Sequence, residues 1–475
     1  MLNVNELIEN AGIAAVEFRK FNQEQTDKIV KKVYEAAFNN RIDLAKLAFK
    51  ETHLGKWEDK VEKNIIASWS VYFDIINKKT VGVISEDNEN GIVEIAESKG
   101  PIFAITPVTN PTSTVIFKIL IAMKTRNPII IRPHGAAKKC SNAAAKICYE
   151  AAIEAGAPKN CIQWIRRSTK EETLELMGHK KIALILATGS VSLVKSAYSS
   201  GNPAIGVGPG NVPVYIGKSC DVSFAVDQIL LSKTFDNGTI CASEQSVVVS
   251  KINSQQVIEE FKKRKAYFLS EEETALVEKI AFNKAQKVMS ADVIGQSAFR
   301  IAEMANITVP EDTSVLIAPL KEVGIQSPIS LEILAPILGF YVVENFDEAI
   351  EQCRKINEHG GLGHTVSIFS RDERKIEYFS EIMNAGRILV NTPSSQGALG
   401  GTFNSLQPSL TLACGSGGKN MTTDNISVQH LINIHRIARR QVNECYSCTK
   451  HFCMDESIDA AGFESLCEQK RNGER

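Results

Sequence analysis

One cysteine stands in a run whose pattern suits covalent chemistry: Phe235-Asp236-Asn237-Gly238-Thr239-Ile240-Cys241-Ala242-Ser243-Glu244. It follows a glycine-containing loop and precedes an apolar β run, which would expose its thiolate at a cleft edge. There a thiolate attacks an electrophilic carbon and carries the covalent intermediate. Spacing alone does not raise Cys241 above Cys220 or Cys414 among the eleven cysteines, and a buried, inert thiol is the usual case. No histidine adjoins it in sequence, but a partner need only be near in space.

Two glycine-rich turns suit a phosphate-bearing ligand. Residues 182–187 form a strong β run ending in Thr188-Gly189-Ser190, and a helix-like segment 191–198 follows. A strand–glycine–helix turn aims backbone N–H groups and the helix dipole at a pyrophosphate. The same turn also serves simply to seat a helix on a sheet. The second turn is Gly206-Val207-Gly208-Pro209-Gly210-Asn211, ahead of a strand at 214–216. Its glycines permit close approach of backbone to a ligand, although a tight loop needs them too.

The elements that must position these residues are legible in outline. Residues 4–53 read as helix, with Val4, Leu7, Ile8, Ala11, Ala15 and Phe18 recurring at spacings of three and four. From about residue 100 short apolar runs (128–131, 162–165, 182–187) alternate with helix-like stretches (140–155, 170–177, 191–198). That alternation predicts a parallel sheet with crossover helices, the architecture of nucleotide-binding domains. A second α/β stretch runs over 222–410, with helices near 225–232 and 346–356 and strands at 246–249, 314–317 and 365–369. A short polar tail with four cysteines begins at about 441.

Composition bounds the function. The chain has 475 residues, 44% of them hydrophobic, and a formal charge of -1. A near-zero balance does not suit a nucleic-acid partner, whose phosphates call for a basic face. No stretch reaches the roughly 18 consecutive apolar residues of a membrane span. The opening MLNVNELIENAG lacks the apolar core of a secretory signal, so a cytoplasmic protein with reduced thiols is expected.

Several long motifs resemble the CoA-acylating branch of the aldehyde dehydrogenase family. They are TPVTNPTSTVIFK (106–118), SAYSSGNPAIGVGPGN (196–211), KTFDNGTICASEQSVVV (233–249), GLGHTVSIFS (361–370), LVNTPSSQGALGG (389–401), PSLTLACGSGGKN (408–420) and NISVQHLINI (425–434). The likeness is to stand-alone acetylating acetaldehyde dehydrogenases and to the aldehyde half of bifunctional aldehyde–alcohol dehydrogenases. It implies an α/β fold with a Rossmann-like NAD-binding domain at 1–232, including an oligomerisation segment near 85–100. A catalytic domain at 233–410 and a return and oligomerisation segment at 411–440 would follow, then the cysteine-rich tail at 441–475. NAD as cofactor, CoA and a small aldehyde as substrates, and a homo-oligomer (dimer or tetramer) are implied with it.

The resemblance assigns roles by position. Cys241 matches the nucleophile, Asn110 the amide that holds the oxyanion, and His364 a histidine near the active site of acylating members. Glu332 matches the carboxylate on the nicotinamide ribose. Thr106, Pro107, Thr188, Gly189, Ser190 and Gly208 match segments lying against the cofactor. Arg132 and His134 stand where hydrolytic relatives carry Lys-Pro-x-Glu for the adenosine ribose; the acid is missing, so NAD is favoured with NADP left open. Hydrolytic relatives also carry a water-activating Glu where this chain has Val207, which favours transfer to a thiol over hydrolysis. Glu244 is read as structural.

The loop 391–401 carries no cation, which favours acetaldehyde over succinate semialdehyde or sulfoacetaldehyde. Hydrolytic oxidation and a non-catalytic compartment or scaffold component are the alternatives. No iron-dependent alcohol dehydrogenase half follows, so no alcohol is expected unaided. In the tail, Cys445, Cys448, His451, Cys453 and Cys467 lack a strong zinc spacing, and no metal site is expected. Docking through this tail, for instance inside a bacterial microcompartment, is a further expectation.

Overall fold

Short apolar strands separated by helices cannot pair with their chain neighbours as hairpins; they align in parallel and bury both faces. In the computed structural model, which describes residues 3–283, 288–441 and 455–471, these runs build two parallel sheets. The first holds β1 (Ile102–Ile105), β2 (Ile129–Arg132), β3 (Ile162–Trp164), β4 (Leu184–Thr188) and β5 (Ala204–Val207), ordered β3-β2-β1-β4-β5. The chain moves outward from β1 to β3, then returns to lay β4 on the other side of β1. Ligands of α/β sheets sit beyond the strands' carboxyl ends at such a switch point. Thr106 and Pro107 leave β1 there, and Gly189 and Ser190 leave β4.

The helix Pro111–Lys124, buried at every position, packs beneath this crevice. Its Lys118 is an ammonium donor inside an otherwise apolar run. Nζ donates to Ile105 O (2.8 Å), Leu186 O (2.9 Å) and Thr188 Oγ1 (3.1 Å), clamping the ends of β1 and β4 together.

The second sheet holds β6 (Val212–Ile216), β7 (Glu244–Ser250), β8 (Ala266–Phe268), β9 (Val315–Pro319), β10 (Ile337–Val343), β11 (Gly363–Phe369) and β12 (Ala385–Val390). Its order is β8-β9-β10-β7-β6-β11-β12. Three neighbouring strands, β11, β6 and β7, bring distant residues together at their amino ends. Gly210 precedes β6, Cys241 precedes β7, and His364 is the second residue of β11.

The helical pattern over 4–53 resolves into Val4–Phe18, Gln23–Asn39 and Arg41–Thr52, the second opened by a capping box between Asn22 and Gln25. A further helix, Trp57–Ile65, runs on through a π-helical turn at Ile66–Ser70. Residues 81–97 and, among the described residues, 433–441 and 455–471 belong to a separate unit. Its strands Gly82–Asp87 and Ile92–Ser98 form an antiparallel pair, extended to three strands by Ile432–Ala438. Residues 409–426 lie in the main unit.

Of the tail, Cys445, Cys448, His451 and Cys453 lie outside the described residues. Cys467, on the helix Ala460–Arg471, is disulfide-bonded, which corrects the expectation that all thiols are reduced. Among the described residues no helix is long and apolar enough to cross a membrane.

Candidate active site

The cysteine turn is built by an uncommon backbone. Asp236 and Asn237 both take left-handed conformations (φ 48° and 53°), which few residues other than glycine adopt without a compensating interaction. The compensation is a buried ion cluster: the Asp236 carboxylate meets Lys63 Nζ and, at 2.8 Å, Lys60 Nζ. Its other oxygen accepts the Lys56 N–H at 2.7 Å. The loop then delivers Cys241, partly exposed, to the edge of β7. Gly210 lies so close that a Cβ there would stand 2.3 Å from Cys241 O and 3.1 Å from the His364 ring. Only glycine fits.

His364 is fully buried, with Nε2 3.2 Å from Cys241 Sγ and Nδ1 2.9 Å from Thr365 Oγ1. Arg387 Nε donates to that same Thr365 oxygen at 3.3 Å, leaving the hydroxyl hydrogen free to turn to Nδ1. This arrangement suits the tautomer with the imidazole hydrogen on Nε2, facing sulfur. Burial, reinforced by Arg387, pushes the His364 pKa down to about 3, so the ring is neutral. Burial, then Glu332 and Cys414, pushes the Cys241 thiol up to about 12, against an opposing pull from Arg387. The resting pair is a thiol beside a neutral imidazole.

Asn110 is the first residue of the turn into the Pro111–Lys124 helix, and its side chain makes no capping bond. Its Oδ1 accepts from Lys63 Nζ at 2.7 Å and its Nδ2 donates to Thr109 Oγ1 at 3.1 Å. Glu332 Oε1 accepts the Gly210 N–H at 2.8 Å; burial raises its pKa to about 7, with Gly210 and Lys233 opposing. Cys241, His364 and Glu332 thus converge around Gly210. Val207 is buried and apolar. Glu244 is buried with Oε1 accepting the Ser394 N–H at 2.9 Å, a tie to the loop after β12.

The residues at the switch point fit a dinucleotide. Thr106 Oγ1 and Arg132 Nε are buried without a partner, and Ser190 opens the helix Val191–Tyr198. His134 is exposed beyond β2 and accepts the Ala136 N–H through Nδ1. A cavity of about 640 Å³ lies beside that helix, walled by Lys195, Tyr198, Gly208, Leu362, Cys414 and Lys419 among others. Of the residues expected at the cofactor, Gly208 is in its wall.

Sequence reading missed Lys63, Asp236 and Arg387. The buried Arg387 guanidinium donates to His364 O (2.7 Å), Ala413 O (2.8 Å) and Thr423 O (3.1 Å), tying the histidine to the returning segment. An arginine inside Ala385–Val390 was the available signal, since a charge within an apolar strand demands partners.

The sequence profile of the aldehyde dehydrogenase family matches residues 2–407. The chain is 46% identical over 444 residues to the bifunctional aldehyde-alcohol dehydrogenase of Escherichia coli (strain K12), covering 93% of this chain and 50% of that protein. It therefore spans about half the length of such curated relatives. The succinate-semialdehyde dehydrogenase (acetylating) of Clostridium kluyveri is 37% identical, with 92% of this chain and 95% of that one covered. Among solved structures, an acetylating aldehyde dehydrogenase from Geobacillus thermoglucosidasius superposes with a TM-score of 0.90 at 48% identity, over 92% of this chain and 96% of that one. A propionaldehyde dehydrogenase from a Clostridium phytofermentans fucose utilisation bacterial microcompartment gives 0.82 at 26%, over 92% of this chain and 98% of that one. A profile match over most of the chain and near-complete overlap with these relatives establish that the chain belongs to the aldehyde dehydrogenase family and has its α/β fold.

Proposed function

We propose that the protein is an NAD-dependent, CoA-acylating aldehyde dehydrogenase acting on a small aldehyde, with acetaldehyde favoured. The observation that carries this reading is the pairing of Cys241 with His364 at 3.2 Å, together with a buried, apolar Val207 at the sequence position that matches the water-activating Glu of hydrolytic relatives. The nearby Glu332 is tied to the Gly210 N–H.

Cys241 releases its thiol proton to solvent and, as thiolate, attacks the aldehyde carbon; a carbon–sulfur bond forms as the carbonyl π pair moves to oxygen. The second Asn110 amide hydrogen, together with the Cys241 backbone N–H, stabilises the resulting alkoxide, each donor contributing about 3–4 kcal/mol in comparable sites. Collapse of the alkoxide leaves a thioester on Cys241; a nicotinamide held at the switch point would supply the hydride acceptor. The thiolate of CoA then adds to the thioester carbonyl, and Cys241 leaves as thiolate toward the Nε2–H of His364. One thioester replaces another, so the reaction runs in both directions.

Glu332 receives ribose hydroxyls, and Thr106, Pro107, Thr188, Gly189 and Ser190 hold the cofactor at the switch point. Arg132 and His134 lie toward the adenosine ribose. Lys195 and Lys419 supply cations for CoA phosphates along the cavity wall. The exposed face of the three-stranded sheet serves homo-oligomer formation, and the site of action is the cytoplasm or a microcompartment within it. NADH formation from acetaldehyde and NAD, with and without CoA, tests the reading: dependence on CoA with acetyl-CoA as product is expected. Equal rates without CoA, yielding acetate, would assign the protein to hydrolytic oxidation.

A further inference from the structure

The Trp57–Ile65 helix carries no residue that the proposed chemistry uses, yet it sends two lysines into the floor of the site. Lys63 is 1% exposed, and its Nζ has three acceptors: Asn110 Oδ1 at 2.7 Å, Thr239 Oγ1 at 2.9 Å, and the Asp236 carboxylate. Three acceptors match the three hydrogens of an ammonium and leave none spare. Asp236 also meets Lys60 at 2.8 Å, and Asp59, which pairs with Lys56 at 3.9 Å, accepts the Asp236 N–H at 2.6 Å. A cluster of paired, hydrogen-bonded buried charges resists rearrangement.

We propose that Lys63 is a positioning residue that fixes the Asn110 amide and the Cys241 turn in one geometry; this rests on the acylating reading given above. An ammonium has no acceptor, so only the amide oxygen of Asn110 can face it. Nδ2 is thereby turned away from Lys63, with one hydrogen on Thr109 Oγ1 and the other left for a developing alkoxide. The positive charge on Oδ1 also polarises the amide and strengthens its N–H as a donor. Through Thr239, two residues before the nucleophile, the same ammonium anchors the turn that presents Cys241. Oxyanion donor and nucleophile belong to different strand–helix units; Lys63 joins them with one atom.

The test is a double-mutant cycle between Lys63→Met and Asn110→Ala, read as the pre-steady-state rate of NADH formation from acetaldehyde and NAD. Each single variant is expected to lose roughly 10²-fold in rate, the scale of one oxyanion donor, with KM for NAD unchanged within about twofold. The double variant is expected to fall no more than about threefold below Asn110→Ala alone, because the positioned amide is already gone. Lys63→Gln, which keeps an N–H toward Asn110 Oδ1, is expected to recover about tenfold over Lys63→Met, and it carries the cycle if Lys63→Met does not fold. Additive losses near 10⁴-fold, or a raised KM with unchanged rate, would overturn the proposal and leave Lys63 a structural residue. Wild-type NADH formation that ignores CoA would refute the acylating reading and still leave this cycle interpretable, since the step read precedes thiol exchange.

Discussion

The Nε2 of His364 lies 3.2 Å from the Sγ of Cys241, although 123 positions separate the two residues in the chain. Thr365 Oγ1 accepts from Arg387 Nε and lies 2.9 Å from Nδ1, an arrangement that suits Nδ1 as acceptor and Nε2 as donor. In the proposed reaction His364 stabilises sulfur as thiolate, on attack and on departure, without taking its proton.

A donor is replaceable where a base is not. His364→Gln, which retains an N–H near the position of Nε2, is expected to keep kcat within about tenfold of wild type, while His364→Ala loses roughly 10²-fold. Equal losses in the two variants, measured as steady-state NADH formation, would make the imidazole a base.

Cys241→Ala is expected to abolish NADH formation and to leave the thermal unfolding midpoint near that of wild type, since the side chain is small and partly exposed. Retained turnover would remove Cys241 as nucleophile.

The resting thiol has its own pH signature. With the Cys241 pKa pushed up by burial to about 12, the thiolate fraction grows about tenfold per pH unit through the neutral and mildly alkaline range. Alkylation of Cys241 by iodoacetamide in the cofactor-free enzyme, followed by peptide mass spectrometry, is expected to accelerate steadily from pH 6 to about 9. A plateau beginning below pH 7 would reveal a preformed thiolate–imidazolium pair and contradict the neutral ring.

Gly135, three residues beyond Arg132 at the end of β2, aligns with the missing acid of Lys-Pro-x-Glu, a carboxylate that would bind a ribose 2′-hydroxyl and repel a 2′-phosphate. Its absence weakens that discrimination. Gly135→Glu, whose added Cβ meets nothing within 4 Å, is expected to shift the ratio of kcat/KM for NAD over NADP toward NAD by about tenfold or more. An unchanged ratio would place the adenosine ribose elsewhere.

Lys118 gives a stability test. Burial lowers its pKa from 10.5 to about 7, so the folded protein loses this proton at a pH where the unfolded chain still holds it. Between those values the unfolded state binds more protons, and this residue's contribution to folding stability rises with pH. Wild type should therefore gain stability relative to Lys118→Met as the pH of chemical denaturation goes from 7 to about 9. A difference that stays flat or shrinks with rising pH would mean that Lys118 keeps its proton in the fold.

The legible part of the protein was whatever local pattern carries. Alternating apolar runs announced the parallel sheets, and the strand ending in Thr188-Gly189-Ser190 announced a turn at a sheet crevice. Cys241 could be located as a loop-edge thiol but not ranked above Cys414 by spacing; the motifs around it did that. Lys63 escaped because lysines among acids on a helix read as a solvated face, and its partner Asp236 lies 173 positions away. Lys118 and Arg387 left a trace: each is a charge within an apolar run, which must find partners once buried. What such a charge will hold cannot be read until topology brings the acceptors to it.

Arg387 has a consequence for how the protein is made. The residues that would perform the chemistry all lie at or before position 364, but the guanidinium beneath His364 takes acceptors from Ala413, Thr423 and Asn425. A chain cut at residue 405 would hold Cys241 and His364 over a buried cation with too few acceptors. The surroundings of the cysteine are therefore complete only once the segment 413–425 has been made and has folded back beneath the histidine.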